Sequence, residues 1–313
     1  MSAALLAASN VLVVAGKGGV GKTTVGASLG IAASRAGSDV LLVELEGHSN
    51  LSSTLGVDRL GYDEVEIDLG PAGGSGRLRA RQIAPDDALA DYLDKAGLGM
   101  VSRRLIRTGA MEVVTAAAPG IRDLLTLGKI RQLEQAEVAD LIVVDAPAAG
   151  HALTFLTAAA GLADASSAGP VREQADQVLE MFADDRRCQV VLVTLAEETP
   201  VTETIETAFS LEDRVGLKLG PVVVNGLWPP IDGLMAAADG LRSRRAAGVL
   251  AARRAAEHRV ARVGAQQTEI QRLAAQLPLP QIHLPFLFRD RFGVAELGEL
   301  ADILAAGPVG ARG

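Results

Sequence analysis

Short runs that are apolar at every position recur along the chain, at residues 11–14, 40–43, 141–144, 190–193, 222–224 and 282–284. A strand with no polar face is one buried on both sides, and each run is bounded by turn residues and followed by a helix-like stretch. Strands of that kind alternating with helices predict an α/β fold, a mostly parallel sheet wrapped by helices. The first unit is the clearest: strand 11–14, a glycine-rich loop, a helix over about 22–35, a stop at Gly37 and the next strand. Pro71-Ala72-Gly73-Gly74-Ser75-Gly76 predicts a turn between two shorter strands, 65–68 and 78–83. From 85 to 135 the pattern is helical in pieces punctuated by Gly97, Gly99, Gly109 and Pro119-Gly120, too long for a simple crossover. It reads as a helical insertion subdomain, 85–135, within a single domain covering 1–313. A second helical block, 234–277, is rich in Ala and Arg and ends at Pro278.

Composition narrows the classes. With 313 residues, 49% hydrophobic and 22% charged, the chain can bury a large core, so disorder is excluded. A formal charge of −8 and 3% aromatics argue against a nucleic-acid partner, which needs a basic stripe or stacking rings. The paired arginines Arg244-Arg245 and Arg253-Arg254 read better as a solvated helix face. The one cysteine, Cys188, cannot build a disulfide framework, a CxxC zinc site or a thiolate-held iron–sulfur cluster within one chain. It reads as a small core hydrophobe. Residues 1–10 make a poor signal peptide, and no apolar run reaches the ~18 residues that cross a membrane, so a cytoplasmic location is expected.

Gly16-Lys17-Gly18-Gly19-Val20-Gly21-Lys22-Thr23 fits G-x-x-x-x-G-K-[ST] between a predicted strand and a predicted helix. The glycines let successive N–H groups and the helix N-terminus face an anion, Lys22 supplies a cation for the β and γ phosphates, and the Thr23 hydroxyl can hold Mg²⁺. This predicts a P-loop NTPase. Lys17 is an addition to the pattern, and a lysine in a loop that closes on phosphate needs a target for its charge.

With that lysine, Gly16 to Thr24 resembles the deviant Walker A loop of the MinD/ParA, nitrogenase iron protein and ArsA/Get3 ATPases. The resemblance implies that Lys17 reaches across a face-to-face dimer to the partner's nucleotide. Asp145-Ala146-Pro147-Ala148-Ala149-Gly150-His151 resembles the ArsA/Get3 switch II segment, with the proline shifted by one. Asp145 is then the Mg²⁺ ligand through water, and Gly150 and His151 belong to the switch. Residues 40–52 resemble switch I, which places Glu46 where the family has the Asp that orients the attacking water. There the sequence departs: Glu replaces Asp, Gly47 replaces Pro, and one residue is inserted before Asn50, in the switch segment that holds His48. An extra methylene can cost ~10²-fold in rate, so slow hydrolysis is expected, with Glu44 as the second candidate.

Further segments resemble the family along most of the chain: Thr194 to Glu198 with Glu203-Thr204, Val223 to Pro229, Leu284 to Leu287, and Ala118 to Ile121. They imply that Asn225, Pro285 and Phe286 meet the adenine, beside Gly16 to Thr24 at the phosphates. The chain is most similar to the actinobacterial single-domain ArsA-like, anion-transporting ATPases. Its one cysteine separates it from the metalloid-handling and zinc-clamped members.

The resulting expectation is a dimeric switch ATPase using ATP and Mg²⁺, with Lys17, Lys22 and Glu46 in the chemistry. It would be a homodimer, or a heterodimer with a paralogous ArsA-like subunit, serving a protein client, with a peripheral membrane contact left open. The alternative is a weakly hydrolysing nucleotide-binding scaffold paired with an active paralogue. A ParA-like DNA-partitioning ATPase is a third reading, and it requires a basic patch formed on dimerisation. Whether 85–135 forms an apolar client groove or a packed subdomain is open.

Overall fold

A computed structural model describes residues 9–45, 50–70, 73–95, 120–240, 247–290 and 292–308, and in it the apolar runs become one sheet. In chain order the elements are β1 (Val11–Gly16), α1 (Lys22–Arg35), β2 (Val40–Leu45), α2 (Leu51–Leu55), β3 (Val65–Glu66), β4 (Leu78–Ile83), α3 (Pro85–Lys95), α4 (Ile121–Gln135) and β5 (Leu141–Ala148). There follow α5 (Ala149–Ala165), α6 (Pro170–Ala183), β6 (Cys188–Leu195), α7 (Glu198–Val215), β7 (Val222–Leu227), α8 (Leu234–Gly240), α9 (Ala247–Gln276), β8 (Gln281–Pro285) and α10 (Val294–Ala306). The strand order is β3-β4-β2-β5-β1-β6-β7-β8, with the two-residue β3 antiparallel to β4 and the other neighbours parallel.

The double-sided burial has a simple cause in the period-two alternation of strand side chains. Val11 and Val13 of β1 point into one core with Leu127 and Ile130 of α4, Phe155 of α5, Phe182 of α6, Leu211 of α7 and Leu273 of α9. Leu12 and Val14 point into the other, with Leu29 and Ile31 of α1 and Leu297 and Leu300 of α10. Cys188 opens β6 fully buried in the first core, and burial pushes its thiol up to about 12, the state of an inert packing group.

The strands run further than their apolar runs. β5 continues from Asp145 to Ala148 because β1 continues to Gly16 beside it, and Gln189 enters β6 opposite Leu12. Backbone pairing sets these ends, not hydropathy. The 65–68 run is trimmed to Val65–Glu66, while Leu78–Ile83 and Lys22–Arg35 have the limits expected. The block 234–277 is two helices, α8 and α9, and Arg253 on α9 forms a half-buried i,i+4 ion pair with Glu257. Arg244 and Arg245 lie outside the described residues.

Of the stretch 85–135, α3 and α4 are described and 96–119 are not, so the apolar residues there that would line a client groove or pack a subdomain, from Leu98 and Met100 to Val113 and Val114, lie outside the described residues. Leu89 and Tyr92 of α3 pack partly buried against the first core, and Leu124, Leu127, Ile130 and Leu133 of α4 are part of it. None of the helices among the described residues is long and apolar enough to cross a membrane.

Candidate functional site

β1 lies between β5 and β6, so the connections leading to the two halves of the sheet diverge at its C-terminal end. That is where open α/β sheets place ligands, and it is where the glycine loop leaves β1. Two glycines there are dictated by local geometry, one by backbone crowding and the other by its positive φ. A Cβ on Gly16 would lie 2.2 Å from the Val193 carbonyl oxygen of β6. One on Gly21, whose φ is +93°, would lie 2.3 Å from Asn225 Nδ2. Gly21 is also the N-cap of α1 and offers no side-chain acceptor, so the first-turn N–H groups of a 14-residue helix stay directed at the loop's concave side.

Lys22 and Thr23 open α1 at the rim of that concavity. Lys22 Nζ donates to the Lys17 carbonyl at 3.2 Å. Its ammonium is held below the ordinary lysine range by burial, with the charge of Asp145 pulling the other way, so an anionic partner would be strongly favoured. Thr23 Oγ1 donates to Asp145 Oδ2 at 2.6 Å. Asp145 is 3% exposed on β5, in register with Val14 on one side and Glu44 on the other. A hydroxyl and a carboxylate, both hard oxygen donors beside a phosphate-shaped loop, fit Mg²⁺, which is held by one or two protein oxygens together with phosphates and water. Lys17 Nζ lies 2.6 Å from Glu203 Oε1 on α7 of the same chain.

The other expected site residues divide. Glu46, Gly47 and His48 lie outside the described residues. Glu44 is buried and accepts a hydrogen bond from the Leu51 N–H at 3.1 Å, which ties the end of β2 to the start of α2 across the switch I segment. Gly150 and His151 fall in the first turn of α5, directly after β5, with His151 exposed. Asn225 on β7 donates from Nδ2 to the Val20 carbonyl at 2.8 Å, bracing the loop from outside. Pro285 pairs in register with Leu227 at the end of β8, and the Phe286 N–H donates to the Leu227 carbonyl at 2.7 Å. The Phe286 ring is 46% exposed and edge-on to Phe288, which meets Trp228, with the Arg259 and Arg262 guanidiniums over the indole.

The Lys17–Glu203 pair and the Asn225 brace were not foreseen from sequence. Their partners are separated by 186 and 205 positions, so no local pattern joins them. The one signal was the unspent charge of Lys17, which demands an anion without saying where it lies.

Sheet, loop and flanking helices define an α/β P-loop NTPase. The family model for the Anion-transporting ATPases (ArsA ATPases) matches residues 9–168, more than half of the chain, and the chain belongs to that family. It is similar to ATPase BagA of Mycobacterium tuberculosis, with 37% identity over 219 residues, covering 68% of this chain and 63% of that protein. It is also similar to ATPase GET3B of Arabidopsis thaliana, with 26% identity over 69% of this chain and 63% of the relative. With ATPase get3 of Schizosaccharomyces pombe it shares 32% identity over 143 residues, covering 46% of this chain and 41% of that one. The matched part of the chain thus spans less than two thirds of these relatives' length. Family and relatives together support a nucleotide-dependent ATPase.

Proposed function

We propose that the chain is a Mg²⁺- and ATP-dependent switch ATPase that works as a dimer, alone or with a paralogous ArsA-like subunit. The observation that carries this is the 2.6 Å contact of Thr23 with Asp145 at the mouth of the glycine loop, which joins the loop to the strand that leads into α5. Mg²⁺-ATP supplies a transferable γ-phosphoryl group and a divalent charge that offsets its oxygens. Around it the protein's own groups have distinct tasks. The loop N–H groups from Gly16 to Thr24, Gly18 and Gly19 included, cradle the phosphates, and Lys22 places a desolvated cation at them. Thr23 and Asp145 hold the metal, Asp145 through water. Glu46 orients the attacking water, and Glu44 fixes the segment that carries it. Asn225, Pro285 and Phe286 border the adenine. Lys17 stabilises charge on the partner subunit's nucleotide.

Asp145 is joined in sequence to Gly150 and His151, and Glu44 is hydrogen-bonded across Glu46, Gly47 and His48, so a change at the phosphate end moves both switch segments. Residues 85–135 would take up that movement as a helical insertion within one ATPase domain, anchored by α4 in the core, and present it to a protein client in the cytoplasm. The scaffold reading, a weakly hydrolysing partner of an active paralogue, keeps its motive in the Glu46-Gly47 departure. Single-turnover hydrolysis by the purified chain separates the two readings.

A titration of Mg²⁺ tests the metal assignment. Asp145→Asn keeps the size and the acceptor for Thr23 while removing the charge. It is expected to raise the Mg²⁺ concentration needed for half-maximal phosphate release by about tenfold or more, since a charge-assisted contact is roughly twice as strong as a neutral one. An unchanged Mg²⁺ requirement in a folded variant would remove Asp145 from the metal site.

A further inference from the structure

Lys17 is the one charge that this mechanism sends to a phosphate while the structure pairs it elsewhere, 2.6 Å from Glu203 Oε1 in its own subunit. The two partners are not equally free to move. Glu203 stands on α7, whose Val201, Thr204 and Ile205 are buried. The first turn of α7 is also tied to α9, because Arg272 donates to the Glu198 carbonyl at 2.7 Å and to Thr202 Oγ1 at 3.1 Å. The helix that carries the carboxylate is therefore held in place. The lysine is the adjustable member, a four-carbon stem on a loop between glycines.

A phosphate oxygen and a carboxylate oxygen are rival acceptors for one ammonium, and reaching a second subunit requires the stem to leave the first partner. We infer that Glu203 is a positioning residue that competes with nucleotide phosphate for Lys17, so that the ion pair within the subunit opens before Lys17 engages a phosphate. This rests on the reading of Lys17 as a phosphate ligand given above. The competition is modest by construction. Its two side chains are 35% and 37% exposed, and pairs so open to solvent shift an equilibrium by about two- to fivefold. A contact of that strength can be broken in every cycle.

The test is a double-mutant cycle on the full chain, read as binding of a fluorescent ATP analogue in the presence of Mg²⁺. The four proteins are the unsubstituted chain, Glu203→Gln, Lys17→Ala and the double variant. Glu203→Gln is expected to bind the analogue about two- to fivefold more tightly, because Lys17 no longer has to leave a carboxylate. Lys17→Ala and the double variant are expected to bind alike, because the carboxylate then has nothing to hold. Gln preserves helix propensity at this half-exposed position, and a thermal melt confirms the fold. Unchanged or weaker binding in Glu203→Gln overturns the inference. So does equal tightening with and without Lys17, which is plain removal of a negative charge. The failures are distinguishable: Lys17→Ala with full turnover but a coupled cycle sinks the trans-acting lysine and leaves the pairing, whereas lost turnover with no coupling does the reverse.

Discussion

Lys22→Ala is expected to lower ATP turnover about 100-fold or more while the protein stays folded. Removing one preorganised donor to a developing oxyanion commonly costs about 10²- to 10³-fold in rate, and Lys22 is a full charge in a partly desolvated site. Its burial makes the ammonium costly until an anion meets it, so its contribution is greatest where phosphate charge develops. Alanine does not harm the start of α1, where it is the best helix former. Phosphate release measured beside a thermal melt checks both halves of the expectation. A folded variant with turnover within a few-fold of the unsubstituted chain would take Lys22 out of the chemistry.

Gly16→Ala is expected to act on stability instead, lowering it by about 3 kcal/mol, the upper part of the range for overpacking. The obstacle is a backbone atom: the new Cβ would stand 2.2 Å from the Val193 carbonyl oxygen, in the central strand pair β1–β6, which cannot step aside as a side-chain tip can. Relief requires the two strands to separate where the loop begins, so nucleotide affinity should fall with stability. Gly264→Ala is the matched control. It is an exposed position on α9 with nothing within 4 Å of the added Cβ, and there alanine should be neutral or stabilise by up to about 1 kcal/mol. Denaturant unfolding of both variants measures the contrast. Equal midpoints would mean that the close approach at Gly16 carries no energetic weight.

The parts of this molecule that were legible in the sequence are those whose cause is local. The unit from β1 through α1 to β2 announces itself by an apolar run, a glycine loop and a glycine stop within 35 residues, and its helix limits agree with the structure. Thr23 and Asp145, 122 positions apart, could be expected together because each carries a recognisable motif, and the 2.6 Å contact joins them. Strand ends were under-read wherever pairing extends a strand past its apolar run, as with Cys188 and Gln189 opposite Val11 and Leu12. α4 belongs to the core on the side of α5 and α6, a placement that periodicity could suggest and only packing decides. The partners of Lys17 and Asn225 depended on the assembled sheet, which brings α7 and β7 beside the loop from more than 180 positions away.

The central claim, that each active site is built from Lys22 of one subunit and Lys17 of the other, is tested most directly by mixing two inactive variants. Lys17→Ala and Lys22→Ala, each purified alone, are expected to release little phosphate. Combined in equal amounts they can form a mixed dimer in which one site has both its own Lys22 and the partner's Lys17, while the other has neither. Random pairing in a closed two-fold dimer makes about half of the dimers mixed, with one good site of two, so turnover should recover to roughly a quarter of that of the unsubstituted chain. A mixture no more active than its components, with dimers present in solution, would contradict the shared site.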